Sequence, residues 1–112
     1  MARRKIKPSD PQDFVEIDRV IHEPARLVIM LHLAAVENAD YVFLQTQTGM
    51  SWGNLSAHLR KLADVGYVTI TKEFIENKPH SMASATEKGR RALQTYIEQF
   101  SDIIGDYKQA SK

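Results

Sequence analysis

The chain has 112 residues, 43% of them hydrophobic and 26% charged, enough for one domain with a single modest core and too few for a two-domain Rossmann enzyme, a TIM barrel or a kinase. It contains no cysteine, which excludes disulfide scaffolds, thiolate zinc sites and a cysteine nucleophile together. The formal net charge of +1 argues on its own against a strongly basic nucleic-acid binder, but the sum hides a partition: residues 1–8 carry +4, residues 9–50 carry −5, residues 51–91 carry +3 and the remainder −1. Charge sorted along the chain in this way is what a local anion-binding surface requires.

Residues 1–9, with Arg3, Arg4, Lys5 and Lys7, read as a basic flexible arm, either a minor-groove tail or a solubilising end. No apolar run long enough for a signal-peptide core or a membrane span occurs, so a cytoplasmic protein without a membrane partner is expected. Residues 10–112 read as a single domain. Asp10 caps a first helix with Pro11 at its first position, and Phe14, Ile17 and Ile21 share one face of it. Pro24 opens a second helix to about residue 37, apolar nearly all round and therefore expected to be central and buried, with Asn38 as a left-handed stop. Asp40 caps a short helix from Tyr41 to about Thr48. Ser51 then caps a third helix to about Val65, with Leu55, Leu59 and Leu62 facing inward, which gives a helix-turn-helix over about 41–65.

Gly66 ends that helix, because glycine accepts the positive φ wanted there. A wing follows over about 67–85: a β-branched and aromatic strand, Tyr67 to Thr71, a turn over Glu76 to Pro79, and a weaker strand from His80 to Ala85. Thr86 caps a last helix over about 86–108, with Glu87 in its positive first turn and Gly105 expected to let the end fray. Helix, helix, short helix, helix, hairpin, long helix is a mainly α, α+β order, a winged helix-turn-helix with a long C-terminal helix.

The third helix carries the candidate chemistry. With its leucines inward, Gly53, Ala57, Arg60, Lys61 and Asp64 turn outward, and Asn54 and Ser56 lie on the flanks. Small residues permit close approach to a duplex, Asn54 can pair with adenine, and Arg60 or Lys61 can reach guanine or phosphate. The free N–H groups near Ser51 and Trp52 form a phosphate site. Ser51, Trp52, Asn54, Ala57, Arg60 and Lys61 are therefore the candidates, with His58 at the helix edge, against DNA or a dimer partner. In the wing, Lys72 and Lys78 flank the hairpin and His80 sits just beyond, within reach of a minor groove or phosphates. The plainer alternatives are a solvated face for Arg60 and Lys61, a core lid for Trp52, and an ordinary charged hairpin diluted by Glu73 and Glu76.

On the last helix Leu93, Ile97, Phe100, Ile104 and Tyr107 recur at spacings of four, three, four and three, broadened by Tyr96 and Ile103. An exposed stripe of that length needs a cover, either the chain's own domain or a twofold partner. A homodimer through this helix and the first one (Phe14, Ile17) places two recognition helices roughly 34 Å apart. His22, His32, His58 and His80 lack metal-ligand spacing, and no phosphate loop, nucleophile elbow or paired-acid constellation occurs, so no metal, no cofactor and no enzyme activity are expected.

Ser51 to Leu62 followed by Gly66-Tyr67-Val68, then Lys78-Pro79-His80-Ser81 and Thr86 to Leu93, resembles the recognition helix, wing and last-helix start of compact prokaryotic winged-helix regulators close to the MarR and ArsR groups. The resemblance covers roughly residues 20–97. Ala85 stands where those proteins usually have leucine, and Ser81 where threonine is common. It implies a sequence-specific regulator of transcription that binds double-stranded DNA, and it allows an unidentified small-molecule effector near Tyr96, Phe100 and the first helix. The alternative is a winged helix used as a protein-interaction module.

Overall fold

Three short polar side chains start three helices. Asp40 accepts from the Val42 N–H at 2.6 Å, Ser51 from the Asn54 N–H at 3.2 Å and Thr86 from the Gly89 N–H at 3.0 Å, each meeting a donor that a helix start leaves orphaned. The computed structural model describes residues 16–110. In chain order these form α1 (Pro24–Ala34), β1 (Ala39–Asp40), α2 (Tyr41–Thr48), α3 (Trp52–Asp64), β2 (Val68–Ile75), β3 (Lys78–Ala85) and α4 (Glu87–Ala110). The strands make one antiparallel sheet in the order β1-β3-β2, with Ala39 opposite Ala83 and the wing register running from Val68–Ala85 to Ile75–Lys78. This is the expected α+β winged helix-turn-helix with a long C-terminal helix.

The core gathers where α1, α2, α3 and the base of the wing meet. Ile29, Met30, Leu33, Leu44, Leu55, Leu59 and Leu62 are fully buried, joined by Val68, Ala83 and Leu93. Burial of each large side chain stabilises the fold by about 1.5–3 kcal/mol before entropy is counted. Gly66 has φ +81°, as the end of α3 requires, and its carbonyl accepts from the Thr86 hydroxyl at 2.6 Å, tying the wing's base to the start of α4. A side chain at Gly89 would overlap the Tyr67 carbonyl, so glycine lets α4 lie directly against β2's entry.

Several expectations need correcting. The predicted arm and Asp10, Pro11 and Phe14 lie outside the described residues. Residues 16–23 are turns, not the end of a helix. The Asp18 carboxylate accepts from the Val20 and Ile21 N–H groups at 2.9 and 3.1 Å, a local bond that competes with helix. The helix over Pro24–Ala34 is shorter than predicted and not buried all round, since Val28 and Leu31 are exposed. Ala35 caps it in a right-handed conformation, and Asn38 is not left-handed. On the same helix His32 Nδ1 bonds the Val28 carbonyl at 2.9 Å, and the side chain is half-buried. Both wing strands extend to a two-residue Glu76-Asn77 turn, and Pro79 lies inside β3. The last helix continues through Gly105 to Ala110 without a break.

Candidate nucleic-acid interface

The α3 helix is held from behind and presented in front. Its three leucines are fully buried, while Ser51, Trp52, Asn54, Ala57, Arg60 and Lys61 are all exposed on the remaining face. The Ser51 hydroxyl is occupied as the cap, which leaves Asn54's side chain free to face outward. Trp52 is neither core nor loose: it is 48% exposed and its ring lies 5.5 Å from the buried Tyr41 ring, tilted by 50°. Tyr41, Trp52, Ser56, Arg60, Ile70, Lys72 and Ser81 line a groove of about 380 Å³ between α3 and the wing. Burial raises the Tyr41 hydroxyl's pKa, with the nearby Arg60 charge pulling the other way.

The two predicted histidines are turned to internal partners. His80 Nδ1 meets Asp40 Oδ2 at 3.0 Å, on the carboxylate that also caps α2. It is therefore a strut between wing and helix-turn-helix, not a free groove contact. Burial raises the Asp40 carboxyl, but the Val42 N–H and His80 together outweigh it and hold the group below its ordinary value. His58 Nδ1 lies 3.4 Å from Arg26 Nη1 and 3.7 Å from Glu23 Oε2, on the α1 side of α3. Glu23 is held low although burial opposes it, by the Arg26 and Ala25 N–H groups and the His58 charge.

The charge sorting is real but narrower than the sequence sum. Of the bases in residues 51–91, three on α4 have structural tasks. Arg90 donates to the Ala34 and Val36 carbonyls at 2.9 and 3.1 Å, satisfying the end of α1; Lys88 lies 5.8 Å over the Tyr67 ring; Arg91 pairs with Glu87 at 3.7 Å. Arg60, Lys61, Lys72 and Lys78 remain, all exposed. Strand alternation then separates Lys72 from Glu73, because Lys72 lines the groove and Glu73 stands on the opposite sheet face across from His80. Alternation counted from Val68, which is buried, was the signal that could have shown this.

The predicted dimer seam divides. Ile17, Leu93 and Tyr96 are buried within the chain's own fold, Tyr96 also bonding His22 Nδ1 at 2.8 Å, so they do not form a free surface. Phe100 is half-buried, stacked 5.7 Å from Tyr96. Ile97, Ile104 and Tyr107 remain exposed at 39%, 41% and 61%.

Residues 25–104 match the family described as winged helix DNA-binding domain, most of the chain. The chain belongs to the winged-helix DNA-binding domain family. Membership makes it a DNA-binding domain and not an enzyme. The winged helix is 29% identical over 79 residues to an uncharacterized protein of Methanocaldococcus jannaschii, covering 70% of this chain and 86% of that one. It superposes with a TM-score of 0.78 on a transcriptional regulator homologue from Pyrococcus horikoshii, at 25% identity over 84% of this chain and 95% of that one. A mutant MarR from E. coli complexed with operator DNA shares the fold at a TM-score of 0.59, with 14% identity over 80% of this chain and 69% of that one. Among the described residues no helix is long and apolar enough to cross a membrane.

Proposed function

We propose that this winged helix regulates transcription by binding specific duplex DNA as a homodimer, with α3 in the major groove and the wing on the adjacent backbone or minor groove. The observation that carries the reading is the outer face of α3: Asn54, Ala57, Arg60 and Lys61 are exposed together on a helix whose other face is fixed by three buried leucines. Asn54, Arg60 and Lys61 read bases or phosphates, Ser51 and Trp52 sit at the helix start against the backbone, and Lys72 and Lys78 meet phosphates from the wing. The exposed Ile97, Ile104 and Tyr107 with Phe100 form the remaining dimer seam. The cleft of about 340 Å³ lined by His22, Pro24, Leu27, Val28 and Tyr96, beside Phe100, is the place this reading gives to a small effector.

Binding to duplexes selected from a random library is expected to weaken steeply between about 50 and 200 mM salt, as phosphate contacts release counterions. Arg60→Ala and Lys61→Ala should each cost about 1–3 kcal/mol of binding with the melting temperature nearly unchanged, since both side chains are exposed. The net charge of +1 favours the protein-interaction alternative, and no duplex binding at low salt would select it.

A further inference from the structure

We propose that Phe74, backed by Pro79, is an apolar wedge at the wing tip that enters the minor groove beside the recognition helix and makes affinity depend on how readily the base step there unstacks. The proposal rests on the DNA-binding reading and deepens it. Phe74 is 79% exposed, the most exposed of the large hydrophobic side chains among the described residues, and with the exposed Pro79 opposite it makes the wing tip apolar on that face. The register fixes which way it faces. Val68, Ile70, Lys72 and Phe74 alternate onto one face of β2, where Val68 is buried and Ile70 and Lys72 line the groove with Arg60. Phe74 therefore continues the α3 side of the wing outward, one step beyond the lysine, opposite Pro79 on β3.

Charge selects the partner. Next along that face from Phe74 and Pro79 stands Lys72, which lines the groove with Arg60, while Glu73 stands on the reverse face, so the apolar tip continues a cationic groove towards a polyanion. The tip is also narrow and stiff. Glu76 and Asn77 both have positive φ, 52° and 64°, the two-residue turn that matches strand twist, and Pro79 fixes its own φ. An apolar side chain placed between base steps unstacks and bends the duplex, at a cost set by the sequence being deformed.

The test uses the full chain and a duplex selected by it from a random library, with 2-aminopurine placed at steps flanking the selected site. Wild-type binding should raise the probe's fluorescence at one flanking step. Phe74→Ser should bind about tenfold more weakly with the salt dependence unchanged and no fluorescence rise, because an apolar contact releases no counterions. Phe74→Leu should retain most of both signals. Lys72→Ala should instead lower the salt slope by about one and keep the fluorescence. Equal affinity and fluorescence for Phe74→Ser overturns the wedge alone. A change of oligomeric state in that variant with DNA binding intact also overturns it, since Phe74 would then cover a protein contact. No duplex binding by the wild type overturns the DNA reading itself and the wedge with it.

Discussion

The Tyr67 hydroxyl donates to Asp18, whose other oxygen holds the Val20–Ile21 turn, so a single carboxylate joins the entry of the chain to the base of the wing. Burial first, then this bond and the Asp18 charge, push the Tyr67 phenol up to about 12. A folded-state value above the unfolded one near 10 means that the stabilisation is whole below about pH 10 and is lost as pH rises towards 12. Denaturant titrations should show Tyr67→Phe less stable than wild type by about 1 kcal/mol at pH 8, with the two curves converging between pH 10 and 12. Parallel curves across that range would contradict the assignment. Neither partner was legible as such: Asp18 and Tyr67 are 49 residues apart, and no local spacing links them. His80 is the converse case, a cation-like residue at the correct place in the wing whose partner, Asp40, is fixed only by the β1–β3 pairing.

At the scale of elements, periodicity carried what it could. Leu55, Leu59 and Leu62 announce α3 because one amphipathic face is buried, and Ser51 and Gly66 mark its ends by chemistry that is local in sequence. A two-residue β1 leaves no period to read, and the apolar sequence of α1 does not say which of its faces the neighbouring elements cover, so Val28 and Leu31 read as buried like the rest. The Asp40–His80 strut follows from that unreadable strand and joins wing to α2. Asp40→Asn keeps an N-cap but removes the charge facing His80, so a double-mutant cycle with His80→Ala should give a coupling of about 0.5 kcal/mol at pH 7, modest because both groups are partly exposed. Because the Asp40 carboxyl is held low, the part of this stabilisation that needs a carboxylate is lost as pH falls through the folded value. Zero coupling would leave wing and α2 held by the strand pairing and the shared core, with nothing from the strut.

At the scale of the whole molecule the near-zero charge does not exclude DNA, since Arg90, Lys88 and Arg91 serve α4 while Arg60 and Lys72 line one groove beside the exposed Lys61, with Lys78, paired with Ile75, on the reverse face of the wing. Two cations in the groove and a third beside it predict binding on that side. Length works the same way. α4 runs 24 residues, roughly 36 Å, within a chain 58 Å long, and beyond Tyr96 its outward stripe finds no cover among the described residues at Ile97, Ile104 and Tyr107. The heptad-like spacing of the sequence does not reveal that Leu93 and Tyr96 belong to the chain's own core, so on α4, among the described residues, the stripe open to a partner is the C-terminal part. Light scattering at micromolar concentration should give twice the chain mass for the wild type. Ile104→Asp and Tyr107→Asp should give monomers with unchanged helix content, because each puts a charge on an exposed position where only a partner would exclude water. Those monomers should bind a selected palindromic duplex about a hundredfold more weakly, yet bind a single half-site as the wild-type chain does, since α3 is untouched and only the linkage of two half-sites is lost. A wild-type monomer under the same conditions would remove the dimer and confine the winged helix to one half-site.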